Sequence, residues 1–479
     1  MRKFENYVQL VKYEVLREVS KSALRGTLTK DLPRIPNIID PGPEPRSRCC
    51  IYHERAITAE RITMALGGDP SNSNIIEVLE TACDQCPINR YKITEACRGC
   101  IAHRCIDSCP KDAISIVGQR AVIDYSKCIE CGRCKDACPY NAISDLMRPC
   151  KRACPVNALT IDHNKKAVID NDKCIQCGAC VSMCPFGAIQ DKSYIVDTIQ
   201  LMKKEATYAI IAPAFASQFS YASLGQVVAG IKALGFKDVI EVALGADLVA
   251  EHEASEFVER MATDNLMTSS CCPAFFQFIE KNYPTLKEAR STTLSPMFAT
   301  AKLIKSIDPE AHIVFIGPCI AKKTEKQLYD KENLIQYVLT FEELTALLDA
   351  AEIDLENLSP APLNNASYYG RIFARSGGLT EGLTTLIEKE DVTFNPIVCD
   401  GIDACDKALR IASVNRQTFN FIEGMACKGG CTKGPVSLHH APTTTKLIDA
   451  YGELALEKKP EDSLRVFEKK SLSLHREHL

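Results

Sequence analysis

The chain has 479 residues, 25 of them cysteine, with 46% hydrophobic and 25% charged side chains and a formal net charge of -4. That balance is that of a globular protein of two or three domains, and it offers no basic stripe for nucleic acid. No apolar run approaches the roughly 18 residues of a membrane span, and residues 1–20 lack the apolar core of a signal peptide. Thiols repeated as C-x2-C fit metal binding in a reducing cytoplasm better than a secreted disulfide scaffold, and an oxygen-poor setting is expected.

Residues 1–90 read as an N-terminal helical and linker region. It holds an amphipathic helix over 4–19, a proline-rich connector over 33–45, adjacent Cys49 and Cys50, a helix-like stretch over 75–82, and the pair Cys83-x2-Cys86. Cys49 and Cys50 read as readily as packing residues as ligands.

Residues 91–195 read as two tandem ferredoxin-like α+β modules. Cys-Pro-x-x-Ala followed by Ile or Leu occurs four times, at Cys109, Cys138, Cys154 and Cys184. Two of these close the full run C-x2-C-x2-C-x3-C-P: Cys128, Cys131, Cys134, Cys138 and Cys174, Cys177, Cys180, Cys184. That run is the bacterial ferredoxin pattern for 4Fe-4S clusters, in which the fourth cysteine serves the other cluster of a pair. The arithmetic gives one cluster to Cys97, Cys100, Cys105 and Cys138, and a second to Cys128, Cys131, Cys134 and Cys109. A third falls to Cys174, Cys177, Cys180 and Cys154.

The first run has four residues before its third cysteine instead of two, which calls for a bulge or for His103 as a replacement ligand. A fourth cluster would need thiols where Ser144 and Met147 stand. Only Cys150 and Cys184 remain from the repeat, with Cys83 and Cys86 as the natural completion, so a fourth cluster stays open. Zinc knuckles also use C-x2-C pairs, but they have no need of the repeated long run.

Residues 205–479 change character. Short apolar runs at 208–212, 237–242, 265–267, 312–316 and 419–422 lead to Pro213, Gly245, Ser269, Gly317 and Gly424. Helical patterns such as 255–262 and 341–351 lie between them. Alternation of this kind predicts an α/β domain with a largely parallel sheet, whose sites gather beyond the carboxyl ends of the strands. Three motifs occupy such places: Ser269-Ser-Cys-Cys-Pro-Ala-Phe275, Gly317-Pro-Cys-Ile-Ala-Lys-Lys-Thr-Glu325, and Glu423-Gly-Met-Ala-Cys-Lys-Gly-Gly-Cys431. Together they offer five thiols, glycines that let backbone approach a bulky group, and a lysine able to donate to an anionic ligand.

This trio resembles the signature of iron-only (FeFe) hydrogenases. The resemblance implies an α/β catalytic domain with parallel-sheet halves around an H-cluster, a 4Fe-4S cubane joined through a cysteine sulfur to a di-iron centre with carbonyl, cyanide and a bridging dithiolate. By motif position, Cys272, Cys319, Cys427 and Cys431 would ligate the cubane, with Cys431 bridging to the di-iron unit. Cys271 would pass protons, Lys322 would hydrogen-bond a cyanide, and Pro213, Ala214, Pro318 and Met425 would contact the cofactor. Glu253 and Glu256, in Glu-His-Glu-Ala-Ser-Glu, look like the family's acidic proton path, and Ser291 like its hydroxyl relay. By themselves, two glutamates three apart share a helix face and also read as a solvated one.

Departures mark a divergent branch. Ser269 stands where threonine is usual, Ala214 where a serine is common, Gly317 for a methionine, and Lys428 for a proline. The glycine run after Cys431 is shortened to Thr-Lys-Gly-Pro. Cys399 and Cys405 have no role in the signature and read as buried free thiols.

The resemblance implies reversible reduction of protons to H2, with electrons entering through the ferredoxin-like clusters. The expected partners are ferredoxin or a similar small carrier, since no nicotinamide or flavin motif is visible, and maturation proteins for the di-iron unit. A slow hydrogen sensor and an iron–sulfur assembly or carrier protein are the alternatives. The second need not keep Cys271 and Lys322, and both are present.

Overall fold

The computed structural model of the chain describes residues 4–467 and 472–476. From 207 onward it is α/β, built on two parallel sheets, as the alternation predicts. One sheet orders its strands Asp238–Glu241, Thr207–Ile211, His312–Gly317, Tyr337–Thr340. The other orders them Met267–Thr268, Phe421–Met425, Pro396–Asp400. Ile210, Val314 and Phe421 are wholly buried, whereas Val398 in the edge strand Pro396–Asp400 is exposed. Parallel strands covered on both faces read as apolar runs rather than as alternation, which made five of these strands legible; the edge strands Tyr337–Thr340 and Pro396–Asp400 were not read.

Two local readings are corrected here. The strand at 238 does not lead to a loop at Gly245. It passes straight into the helix Val242–Arg260, with Gly245 inside it. A Cβ at Gly245 would lie 2.2 Å from Pro296 O and from Thr300 Oγ1. The glycine therefore marks a close helix crossing, against Pro296–Ile307, and not a turn. Residues 75–82 are not helical: Ile76–Val78 is a strand, antiparallel to Ile189–Asp191. Its alternation was too short to separate from a helical stripe.

The ferredoxin-like region is a series of two-stranded ribbons: Tyr91–Ile93 with Ile143–Asp145, Ile114–Val117 with Arg120–Ile123, and Leu159–Ile161 with Ala167–Ile169. The first helix runs Tyr7–Arg25, started by the Asn6 side chain accepting from Gln9 N and ended at Gly26 in a left-handed conformation. It is six residues longer at its C-terminal end than the amphipathic pattern suggests. The connector at 33–45 is partly helical, over Ile35–Ile39.

Residues 1–90 are more than a linker. Val15, Leu16 and Val19 share one apolar cluster with the four-stranded sheet. Beside them lies a buried charge network. Lys12 Nζ pairs with Asp191 at 2.5 Å and Glu342 at 2.7 Å, and Lys323 Nζ pairs with Asp191 at 2.8 Å and Glu343 at 2.9 Å. Buried charges persist only when paired in this way, so the network fixes helix, ferredoxin-like region and α/β part to one another.

Candidate metal and proton-transfer site

The four-fold Cys-Pro-x-x-Ala repeat has a geometric cause. In each copy the alanine N–H donates to the cysteine sulfur: Ala113 to Cys109 at 3.3 Å, Ala142 to Cys138 at 3.4 Å, Ala158 to Cys154 at 3.2 Å, and Ala188 to Cys184 at 3.3 Å. The residue before each alanine (Asp112, Asn141, Asn157, Gly187) has positive φ, a conformation that small polar residues and glycine tolerate. Such N–H donors stabilise a thiolate.

Cys97, Cys100, Cys105 and Cys138 line one cavity, with His103 also at its wall. The two extra residues of that run bulge outward, and Ile101 is 96% exposed. Cys154, Cys174, Cys177 and Cys180 line a second cavity. Cys109, Cys128 and Cys134 meet in one apolar cluster, and Cys128 and Cys131 lie close enough to Cys134 to raise its pKa beyond the effect of burial. Cys83, Cys150 and Cys184 are buried together in another cluster. Burial, then Cys184, Cys86 and Cys83, pushes the Cys150 thiol up to about 11. The structure thus brings the open fourth set together. The antiparallel pairing of Ile76–Val78 with Ile189–Asp191 carries Cys83 and Cys86 to Cys184 from outside the repeat.

A cavity of about 80 Å³ lies beyond the carboxyl ends of both sheets. Cys271 and Cys272 follow the strand Met267–Thr268, Cys319 follows His312–Gly317, and Cys427 and Cys431 follow Phe421–Met425. All five line the cavity, with Lys322, Pro213, Pro318 and Met425. Ala214 does not. It is fully buried one residue beyond Pro213. Phe315 supplies part of the wall, and a Cβ at Gly317 would lie 2.6 Å from its ring, so an aromatic ring fills the volume a larger residue at 317 would take.

The loop of Cys427 and Cys431 is held from several sides. Gly429 N donates to Asp400 Oδ1 at 2.6 Å, and Cys431 N donates to Ala374 O at 2.8 Å. Gly430 has φ 72°, and a Cβ there would lie 2.7 Å from Ser376 N.

The donor set suits a multinuclear metal core. Without metal, burial and then Cys272 push Cys319 to about 11, and burial, Cys319 and Cys272 push Cys431 to about 12. Four mutually repelling thiolates need a cationic core. Among the described residues no three His, Cys, Asp or Glu converge tightly enough for a single ion. The thiols ring a cavity instead. Cys177, of the second ferredoxin-like cavity, lies close enough to Cys272 and Cys427 for their charges to interact, and Pro435 and Ile320 pack directly over Gly178.

Lys322 Nζ donates to Glu325 Oε2 at 2.7 Å and to Cys271 O at 3.3 Å. Glu325, fully buried, accepts from Ser295 Oγ at 3.1 Å and from Arg476 Nη2 at 3.1 Å. Glu325 belongs to a motif singled out in the sequence, and its i,i+3 spacing from Lys322 was the available signal. Arg476 had no local signal.

Glu253, Glu256, Ser291 and Cys271 also come together. Ser291 Oγ donates to Glu256 Oε2 at 2.7 Å and is near enough to Glu253 to lower its pKa. Its single hydrogen leaves Glu253 Oε2 without a partner among the described residues. Burial, and then the charge of Glu256, raises Glu253 to about 7. Burial alone would also raise Glu256, but Thr292 N–H, Ser291 and Arg260 outweigh it and hold this carboxyl below its usual value. Burial, and then Glu253, drives the Cys271 thiol well up.

Glu253 therefore makes stability depend on pH. The native state holds its proton up to about pH 7, whereas the unfolded chain releases it near 4.5. The stability cost grows as pH rises through that window and is complete above it. Glu253→Gln is expected to be more stable than the parent by about 3 kcal/mol at pH 8 and nearly equal at pH 4.5, as measured by urea denaturation. Equal stability at both pH values would place the native pKa near the unfolded one.

Residues 205–435 match the family "Iron only hydrogenase large subunit, C-terminal domain", and residues 121–144 and 167–190 match "4Fe-4S binding domain". Iron hydrogenase 1 of Clostridium pasteurianum is 28% identical over 287 residues, 50% of this chain and 50% of that protein. The cytosolic Fe-S cluster assembly factor NAR1 of Eremothecium gossypii is 31% identical over 146 residues, 30% of this chain and 32% of its own. A solved FeFe-hydrogenase from Chlamydomonas reinhardtii aligns with 60% of this chain and 96% of its own at 17% identity, TM-score 0.48. The chain spans about half the length of the first curated relatives it matches. Among the described residues no helix is long and apolar enough to cross a membrane.

Proposed function

Because the chain is a divergent iron-only-hydrogenase-like protein with 4Fe-4S binding segments, we propose that it interconverts protons and H2, with electrons supplied by ferredoxin or a similar small carrier. The observation that carries this reading is the cavity at which Cys272, Cys319, Cys427 and Cys431 meet Cys271 and Lys322. Cys272, Cys319, Cys427 and Cys431 would hold the H-cluster, whose di-iron part maturation proteins would supply. Bound there, it would provide the vacant metal position at which protons and electrons combine.

The residues of the chain do the rest. Lys322, fixed by Glu325, directs an ammonium at an anionic group in the cavity. The apolar wall of Pro213, Pro318, Phe315 and Met425 excludes water, which strengthens that contact. Protons pass Glu256, Ser291, Glu253 and Cys271 in turn. Glu253, half-protonated near neutrality, is suited to give and take one. Electrons would enter through four 4Fe-4S clusters, the one at Cys154, Cys174, Cys177 and Cys180 standing next to the H-cluster cysteines.

Iron analysis is expected to give roughly 16 accessory irons per chain, against roughly 12 if the fourth set is idle. Cys150→Ser is expected to remove about four of them; no loss would leave Cys150 outside any cluster.

The match to the assembly factor favours a second reading, an iron–sulfur assembly or carrier protein without the di-iron unit. Hydrogen evolved from reduced viologen by the matured protein, measured by gas chromatography, together with infrared bands of bound carbonyl and cyanide, supports the first reading. Full iron content without those bands supports the second. Bands with very slow turnover would point to a hydrogen sensor.

A further inference from the structure

Glu256 is the outermost carboxylate of the relay, yet only 7% of its surface reaches solvent. Two histidines stand at its back. His252 Nδ1 lies 2.8 Å from Thr293 Oγ1, and that hydroxyl donates to Glu256 Oε2 at 2.9 Å. His475 Nδ1 lies 3.2 Å from Thr292 Oγ1, and that hydroxyl donates to Glu256 Oε1 at 3.0 Å. Each oxygen of one buried carboxylate is thus reached by one imidazole through one threonine. The two rings pack edge to face, 4.6 Å between centroids. His252 is half-buried and His475 is exposed.

His475 is not a loose surface group. Residues 472–476 lie against the segment that carries the relay: His475 bridges Thr293, Leu294 N donates to Leu474 O at 2.7 Å, and Arg476 N donates to Thr292 O at 2.6 Å. Arg476 anchors the segment from beneath. Its Nη2 donates to Ser270 O at 3.0 Å and to Glu325 Oε1 at 3.1 Å, and its guanidinium lies 4.5 Å from the centre of the Phe276 ring. The same short segment therefore braces Lys322, through Glu325, and presents a histidine to the proton path.

The structure assigns His252 and His475 as the proton-loading pair of this protein, acting through Glu256; the assignment rests on the proposed proton chemistry of the cavity. Imidazole is the side chain that exchanges a proton near neutral pH. Glu256, Glu259 and His475 face His252. Burial and the charge of His475 hold its pKa below the usual value against the two carboxylates. Rings in contact hold one proton more readily than two, so the pair passes single protons.

The imidazolium of His475 gives its Nδ1 proton to Thr292 Oγ1 as that hydroxyl's own proton moves to Glu256 Oε1. One N–H and one O–H bond break and two O–H bonds form, and solvent recharges the neutral ring. His252 does the same through Thr293. In hydrogen oxidation the same bonds run in reverse.

The test uses the matured, full-length protein and a His252→Gln, His475→Gln double variant. In dilute buffer the variant is expected to lose kcat by roughly tenfold, less than the ~10²–10⁴-fold of a positioned general acid, because Glu256 keeps slow access to water. Added imidazole is expected to restore it, and KM for the electron donor to stay unchanged. Undiminished kcat, or a loss that imidazole does not restore, overturns the assignment. A second measurement does not depend on turnover. With 15N-labelled histidine rings and the clusters oxidised, NMR titration of His252 is expected to shift to lower pKa in Glu256→Gln, and an unmoved titration overturns the contact. A fully iron-loaded wild type that makes no hydrogen overturns the proposed function instead, and the ring titration then still decides for or against the network.

Discussion

Cys271→Ala is expected to keep its full iron complement and to lose hydrogen turnover by roughly 1,000-fold, within the range measured for positioned proton donors. Cys271 lies at the cavity wall, only 5% exposed, beside four other thiols. What sets it apart is its neighbour. Glu253 is the first charged group that raises its pKa after burial, whereas for Cys319, Cys427 and Cys431 the first is another cysteine of the ring. A thiol held protonated against a carboxyl that titrates near 7 can relay a proton. A thiol among thiolates is a ligand. Cys272→Ala is the contrasting variant, expected to lose iron as well as turnover. Iron analysis with gas chromatography separates the two. Undiminished turnover in Cys271→Ala would take this residue out of the proton path.

Lys323→Met is expected to destabilise the fold by about 3–5 kcal/mol, the cost of removing one partner from a buried ion network. Lys323 is 1% exposed, and its ammonium contacts Asp191 at 2.8 Å, Glu343 at 2.9 Å and Lys192 O at 2.7 Å. Without it, among the described residues Asp191 keeps only Lys12, and Glu343 keeps its hydrogen bonds from Thr340 N, Ser193 and Tyr194 N but no cation. Adding Asp191→Asn is expected to recover part of the loss, because coupled partners are not additive. The readout is the urea midpoint of the full chain. A loss below about 1 kcal/mol would show that water reaches the network and that it is worth no more than a surface pair. The change has a functional side as well. Lys323 follows Lys322 on the helix Ala321–Tyr329, so the network that ties residues 7–25 to the α/β part also sets where Lys322 points.

The cysteine motifs were legible because they are local. In a run such as Cys174-x2-Cys177-x2-Cys180-x3-Cys184 the first three thiols line one cavity, and the Cys-Pro-x-x-Ala repeat is fixed by an N–H to sulfur bond four residues on. The inner parallel strands were legible because a strand buried on both faces must be apolar throughout; the edge strands Tyr337–Thr340 and Pro396–Asp400, the second of them covered less completely, were missed. The boundaries were less so. Residues 75–82 carry five apolar side chains that fit a helical stripe as well as a strand, and the partner strand at 189–191 decides between them. Gly245 looked like a turn, because a glycine needed for helix crossing and one needed for chain reversal are the same residue.

What the sequence alone determined, then, is which thiols form which short motifs, roughly where the α/β part begins, and that three distant segments carry cysteine motifs at strand ends. Convergence over long separations belongs to the tertiary structure. Cys83 and Cys86 reach Cys184 only through an antiparallel pairing between segments more than 100 residues apart. Arg476 reaches Glu325 across 151 residues, and His475 reaches Thr292 across 183. No periodicity or spacing encodes such contacts. They exist because packing the intervening core brings segments distant in the chain side by side.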